Sequence, residues 1–137
     1  MSPSELRITV EQARGRVDVT IMRVEGSIDA ANYQALQTAV DTAYAAGARY
    51  LLFDLASVAY MSSAGLQVLH RIVVRLADQR SAAGEEPTRP ETNGSSVKSP
   101  HVKLLNPSEN VSRLLEVSGF VSFLDVHTDL DTAIASF

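Results

Sequence analysis

The spacing of apolar residues changes its period several times along this chain, and each change marks an element. Leu6 to Val10 and Arg16 to Glu25 alternate around Ala13-Arg14-Gly15, with Val17, Val19 and Ile21 on one face and Asp18 and Thr20 on the other. That pattern predicts an opening antiparallel hairpin. After Gly26-Ser27-Ile28-Asp29, residues Tyr33, Leu36, Val40, Ala43 and Tyr44 recur at helical spacing and Gly47 stands where a helix would stop, so a first helix is expected over Ala31 to Ala46. Arg49 to Leu55 is almost wholly apolar apart from Asp54, as in a central strand covered on both faces. A second helix then turns Leu66, Leu69, Ile72, Val73 and Leu76 inward, with Gln67, Arg71, Arg75 and Asp78 outward.

From Ser81 to Pro100 the periodicity is lost among three prolines and several glycines and serines, which predicts a disordered surface loop. Order is expected again in a strand over His101 to Leu105, then in a helix capped by Ser108 that carries Val111, Leu114 and Leu115 before Gly119. A last strand over Val121 to Val126 and a closing helix over Thr128 to Ser136 complete the pattern. Strands alternating with helices after a hairpin imply an α/β fold, with a mixed, mainly parallel sheet packed by about four helices. A length of 137 residues with 45% hydrophobic content fits one domain over 1–137.

A net charge of −4 argues against nucleic acid or an anionic membrane as the main partner and leaves protein partners as the better expectation. No uninterrupted apolar run approaches about 18 residues, so membrane insertion is not expected and the chain reads as cytoplasmic. Zero cysteines remove disulfides and thiolate metal sites. His70, His101 and His127 lack ligand spacing, so neither a metal nor a cofactor is expected.

The candidate chemistry gathers where Leu51-Leu52-Phe53-Asp54-Leu55 gives way to Tyr60-Met61-Ser62-Ser63-Ala64-Gly65-Leu66. A buried strand here delivers two hydroxyls to the exposed start of a helix, where a phosphate would meet the positive end of the helix dipole. Serines at this place also serve as caps, Gly65 serves close packing or a partner's approach, and Asp29 serves as an N-cap or helps shape a docking surface. The outward residues Gln67, Arg71 and Arg75 are either a solvated face or further partner contacts. A hydrolase triad of Ser63 with Asp125 and His127 would have the right chain order. Met61 stands where a nucleophile elbow requires glycine, however, and no Gly-rich oxyanion loop is present, so catalysis is not expected.

Gly26-Ser27-Ile28-Asp29, then Phe53-Asp54-Leu55 leading into Tyr60 to Leu66, then Asn106-Pro107-Ser108 leading into Leu114-Leu115-Glu116-Val117-Ser118-Gly119-Phe120, together resemble the STAS domain of bacterial anti-sigma factor antagonists. The likeness spans the chain except the loop from Ser81 to Pro100. It implies a protein that binds an anti-sigma factor serine kinase when unphosphorylated, is released by phosphorylation, and is restored by a phosphatase, thereby regulating transcription. Laid on the family's Asp-Ser-Ser/Thr-Gly-Leu motif, Ser63 is the acceptor and Ser62 the second choice. Asp29, Ser62, Ser63, Ala64, Gly65, Gln67, Arg71 and Arg75 are the implied contact set. Ser62 replaces the motif's aspartate, which removes a charge and adds a neighbouring hydroxyl, while Ala64 replaces its second hydroxyl residue. The resemblance also allows a second function, a non-phosphorylated STAS scaffold subunit of a transporter, lipid-trafficking or signalling complex.

Overall fold

The computed structural model describes residues 6–82, 99–122 and 124–137. Strands β1 (Arg7–Arg14) and β2 (Asp18–Glu25) form the expected antiparallel hairpin, and α1 (Tyr33–Ala45), β3 (Leu51–Ser57), α2 (Ser63–Ala82), β4 (Val102–Leu105), α3 (Glu109–Ser118), β5 (Asp125–His127) and α4 (Leu130–Ala135) follow. The strands lie side by side in chain order, and every pair after the hairpin is parallel. Steady progression across the sheet with crossovers of one hand puts successive helices on one face. Accordingly Leu36 and Val40 of α1, Leu69, Ile72 and Leu76 of α2, and Val111 and Leu115 of α3 share one core with Met22, Val24, Phe53 and Leu104.

The opposite face carries a smaller cluster, Val19, Ile21, Leu52, Leu105 and Ala133, covered by α4. Lys103, buried on that face, donates to the Ser136 carbonyl at 2.8 Å and lies 3.4 Å from Asp125, which fastens the end of α4 to the sheet. Beyond α4 the face ends in charge, where Arg23 bridges Glu11 and Asp54. The β2 face that opens with Asp18 and Thr20 is thus not a polar one. It continues as Met22 and Val24 in the larger core, and buried Thr20 satisfies its hydroxyl on Gln12 at 3.2 Å.

Several boundaries differ from the sequence expectation: β1 runs on to Arg14 instead of ending at Val10, α1 starts at Tyr33 instead of Ala31, β3 spans Leu51–Ser57 instead of Arg49 to Leu55, and those nearer the C-terminus differ for local reasons. Residues 120–122 form a 3-10 turn instead of opening a strand at Val121. Gly119 ends α3 in the left-handed region at φ 85°, and Ser122 N and Leu124 N donate back to the Gly119 and Phe120 carbonyls, so the chain keeps turning and only Asp125–His127 reaches β4. The closing helix starts at Leu130, because Asp129 accepts from Thr132 N and caps it there. The predicted loop from Ser81 to Pro100 falls outside the described residues over 83–98. At its ends, residues 81–82 belong to α2 and Ser99 Oγ accepts from His101 N and Val102 N.

Candidate functional site

At the carboxyl ends of β2, β3 and β4 the connecting loops bind one another. Gly26 N donates to the Ser57 carbonyl, and Ser108 Oγ, at the start of α3, donates to the Val58 carbonyl at 2.7 Å. Ile28 and Met61 form a single parallel bridge in which Ile28 N donates to Tyr60 O at 2.9 Å and Ser62 N donates to Ile28 O at 2.8 Å. These bonds gather the loops that follow the carboxyl ends of neighbouring strands into one surface. The bridge sets Asp29 directly beside Ser62 and the start of α2.

The two serines divide the work at that start. Ser62 is half-buried, its Oγ accepts from Ala64 N at 3.2 Å, and its carbonyl accepts from Gly65 N and Leu66 N, launching the helix. Ser63 is the first helical residue and is exposed, and no described residue hydrogen-bonds its hydroxyl. Gly65 is buried beneath them. A Cβ there would lie 2.4 Å from Met61 Cγ and 3.0 Å from Ile28 Cγ2, so the residue allows α2 to sit on the Ile28–Met61 bridge. Its contribution in the structure is packing.

Asp29 is not the N-cap of α1, whose cap position falls at Asn32. Its Oδ1 accepts from Ala31 N at 2.9 Å in a local turn, while its carbonyl receives Asn32 N and Tyr33 N. Asn32, only 7% exposed, accepts from Asp29 N at 2.9 Å and donates to the Ser27 carbonyl at 2.6 Å, and so fixes the loop carrying Asp29. Sequence reasoning missed Asn32, and it missed Tyr60, an aromatic 55% exposed three residues before Ser63. The available signal for Tyr60 was its place between Val58 and Met61, both now seen to be buried.

Asp29, Ser62 and Ser63 therefore form one patch, with Ala64 half-buried beside them. Gln67 and Arg71 are exposed along α2. Arg75, also exposed, pairs with Asp41 of α1 and lies over the Tyr44 ring, 4.6 Å from its centroid. Asp125 and His127 pair in register with Lys103 and Leu105, on the face opposite α2, and His127 Nε2 lies 3.3 Å from Ser136 Oγ, so the sheet separates them from Ser63. Among the described residues no three His, Asp or Glu side chains gather as metal ligands, and no helix is long and apolar enough to cross a membrane. The patch offers an exposed hydroxyl at a helix's positive end, near the Asp29 carboxylate and without a hydrogen bond to any described residue.

The family model for the STAS domain matches residues 11–82, just over half the chain. Comparison with curated proteins returns no match. An anti-sigma factor antagonist from Mycobacterium paratuberculosis superposes with a TM-score of 0.70 at 20% identity, covering 98% of this chain and 96% of that one. The anti-sigma factor antagonist SpoIIAA in its unphosphorylated form gives 0.61 at 18% identity, covering 93% of each chain. The Bacillus cell fate determinant SpoIIAA in its phosphorylated form gives 0.59 at 16% identity, covering 93% of this chain and 96% of that one. At these identities the likeness is one of fold.

Proposed function

The chain belongs to the STAS domain family, and from that premise we propose that it is an anti-sigma factor antagonist controlled by phosphorylation of Ser63. Unmodified, it docks through the Asp29–Ser63 patch on a kinase-fold anti-sigma factor in the cytoplasm and releases the sigma factor. Phosphorylated, it is rejected until a phosphatase restores it. The observation that carries this reading is the division between the serines: Ser62 caps α2, which leaves Ser63 exposed with its hydroxyl uncommitted. That SpoIIAA, a neighbour in fold, exists in unphosphorylated and phosphorylated forms supports the same switch here.

Physically the switch requires no refolding. A phosphate on Ser63 adds about −1.5 to −2 charges at the positive end of α2, which the helix dipole favours, so the domain tolerates it. A docked partner would have to desolvate that charge next to the Asp29 carboxylate, at a cost of several kcal/mol by order of magnitude, which is enough to end binding. Each kinase-fold anti-sigma factor of the same genome is incubated with ATP and wild type, Ser63→Ala or Ser62→Ala, and intact mass is read. Phosphate uptake by wild type and Ser62→Ala but not Ser63→Ala is expected. Uptake lost only in Ser62→Ala would move the acceptor by one residue, and no uptake by wild type with any kinase would sink the switch.

A further inference from the structure

Helix α2 presents more than the acceptor. Counted from Ser63, residues Leu66, Gln67, His70 and Arg71 fall at i+3, i+4, i+7 and i+8, so they extend the Ser63 stripe along the helix. With Phe120, in the turn after α3, they border an open groove of about 350 Å³. Leu66 and Phe120 are half-buried and rest on the main core, giving the groove an apolar floor. Gln67, His70 and Arg71 are exposed and form its rim. Among the described residues Arg71 has no carboxylate partner, whereas Arg75 one turn on is bound to Asp41. The groove thus carries the Arg71 guanidinium and, among the described residues, no carboxylate, a local contrast on a chain of net charge −4.

We infer that this groove is the second contact of the docking face and receives an acidic segment of the anti-sigma partner. An apolar side chain of that segment seats on Leu66 and Phe120, while a neighbouring carboxylate pairs with Arg71 beside His70. The inference rests on the docking reading above and names the partner chemistry that this reading leaves open. Continuity selects the occupant. Ser63 and Arg71 are separated by about 12 Å of helix rise, well inside the footprint of about 800 Å² that a partner of ordinary size covers. Whatever closes over Ser63 also spans the groove.

The test is calorimetric titration of each kinase-fold anti-sigma factor of the same genome, purified singly, against wild type, Arg71→Glu, Arg71→Lys, Phe120→Ala and Ser63→Asp at low and high salt. Arg71→Glu is expected to weaken Kd about tenfold and to flatten its salt dependence, with Arg71→Lys within about threefold of wild type. Phe120→Ala is expected to weaken Kd about fivefold or more. Because Phe120 touches the core, the decision rests on exposed Arg71, whose variants are checked for an unchanged melting temperature. If Ser63→Asp abolishes binding while Arg71→Glu leaves Kd and its salt slope unchanged, the groove assignment is overturned and the docking reading stands. If no kinase binds wild type, the docking reading fails and takes the groove assignment with it. Self-association in sedimentation that Arg71→Glu abolishes, with kinase affinity unchanged, gives the groove to a second copy and also overturns the inference.

Discussion

Helices α2 and α3 both begin at a serine after a parallel strand, and they use their hydroxyls in opposite ways. At α3, Ser108 Oγ accepts from Val111 N at 3.4 Å and donates to the Val58 carbonyl at 2.7 Å, so one hydroxyl caps a helix and ties two loops together. At α2 the cap comes from Ser62, and Ser63 stands one residue farther along, exposed. A lone serine at a helix start is absorbed by the fold, because orphan amides there need an acceptor. A doublet supplies the acceptor and leaves a second hydroxyl for chemistry. The phosphorylation proposed for Ser63 would leave the bonds that hold these loops in place untouched.

The strongest way to break this contrast is to displace the start of α2 itself. Gly65→Val would drive branched carbons into Met61 and Ile28, which are 2% and 0% exposed and have nowhere to retreat. A loss of about 3 kcal/mol is expected in urea unfolding, combining overpacking with the poor helix propensity of a β-branched residue. A variant as stable as wild type would mean that α2 does not depend on close approach to the Ile28–Met61 bridge.

Next in size is Ser108→Ala, which removes the α3 cap and leaves the Val58 carbonyl without its donor. About 1.5 kcal/mol and a fall in Tm of about 3–6 °C are expected. Ser62→Ala should cost less, about 0.5–1 kcal/mol, since Ser62 Oγ has a single capping bond in the structure. Equal losses in thermal unfolding would erase the distinction between a hydroxyl engaged twice and one engaged once.

What the sequence makes legible here is periodic or local. Helical spacing from Tyr33 to Tyr44 and the Ser108 and Gly119 caps follow from nearest-neighbour chemistry, and the structure keeps them, whereas the alternation in Val17 to Ile21 marks a strand but not a polar face, since Thr20 is buried. The doublet Ser62-Ser63 is legible as a helix start, yet which hydroxyl stays free depends on the backbone path set by the Ile28–Met61 bridge, between residues far apart in the chain. Asn32 is opaque for the same reason, because its value lies in bonds to the main chain of Ser27 and Asp29. Arg75 reads as free surface until Asp41, 34 residues away, is seen to bind it. The groove is hidden because Phe120 meets Leu66 only after the sheet is assembled.

A third helix start extends the comparison to charge. Exposed Asp129 caps α4 with a carboxylate that accepts from Thr132 N and Thr132 Oγ1, both at 2.8 Å, and these bonds hold its pKa below the ordinary carboxylate value. A lowered folded-state pKa means that the cap contributes fully above the unfolded value and is lost as pH falls through the folded one. Protection of the Thr132 and Ala133 amides, with exchange rates corrected for their intrinsic pH dependence, should therefore fall on acidification below about pH 4, and Asp129→Asn should remove that fall while the α3 start, capped by a neutral serine, shows none. Identical acid profiles at the two helix starts would contradict the assignment of the cap.

The smallest expected effect carries the comparison furthest. Ser63→Ala removes a hydroxyl that no described residue uses, at an exposed first helical position where alanine is a good helix former. Its stability should stay within about 0.5 kcal/mol of wild type, against the larger losses at Ser62 and Ser108. Thermal melts of the three alanine variants under one set of conditions decide the point. A drop at Ser63 as large as that at Ser108 would show that its hydroxyl is part of the scaffold, and the argument for a side chain kept free for modification would fail at its first step.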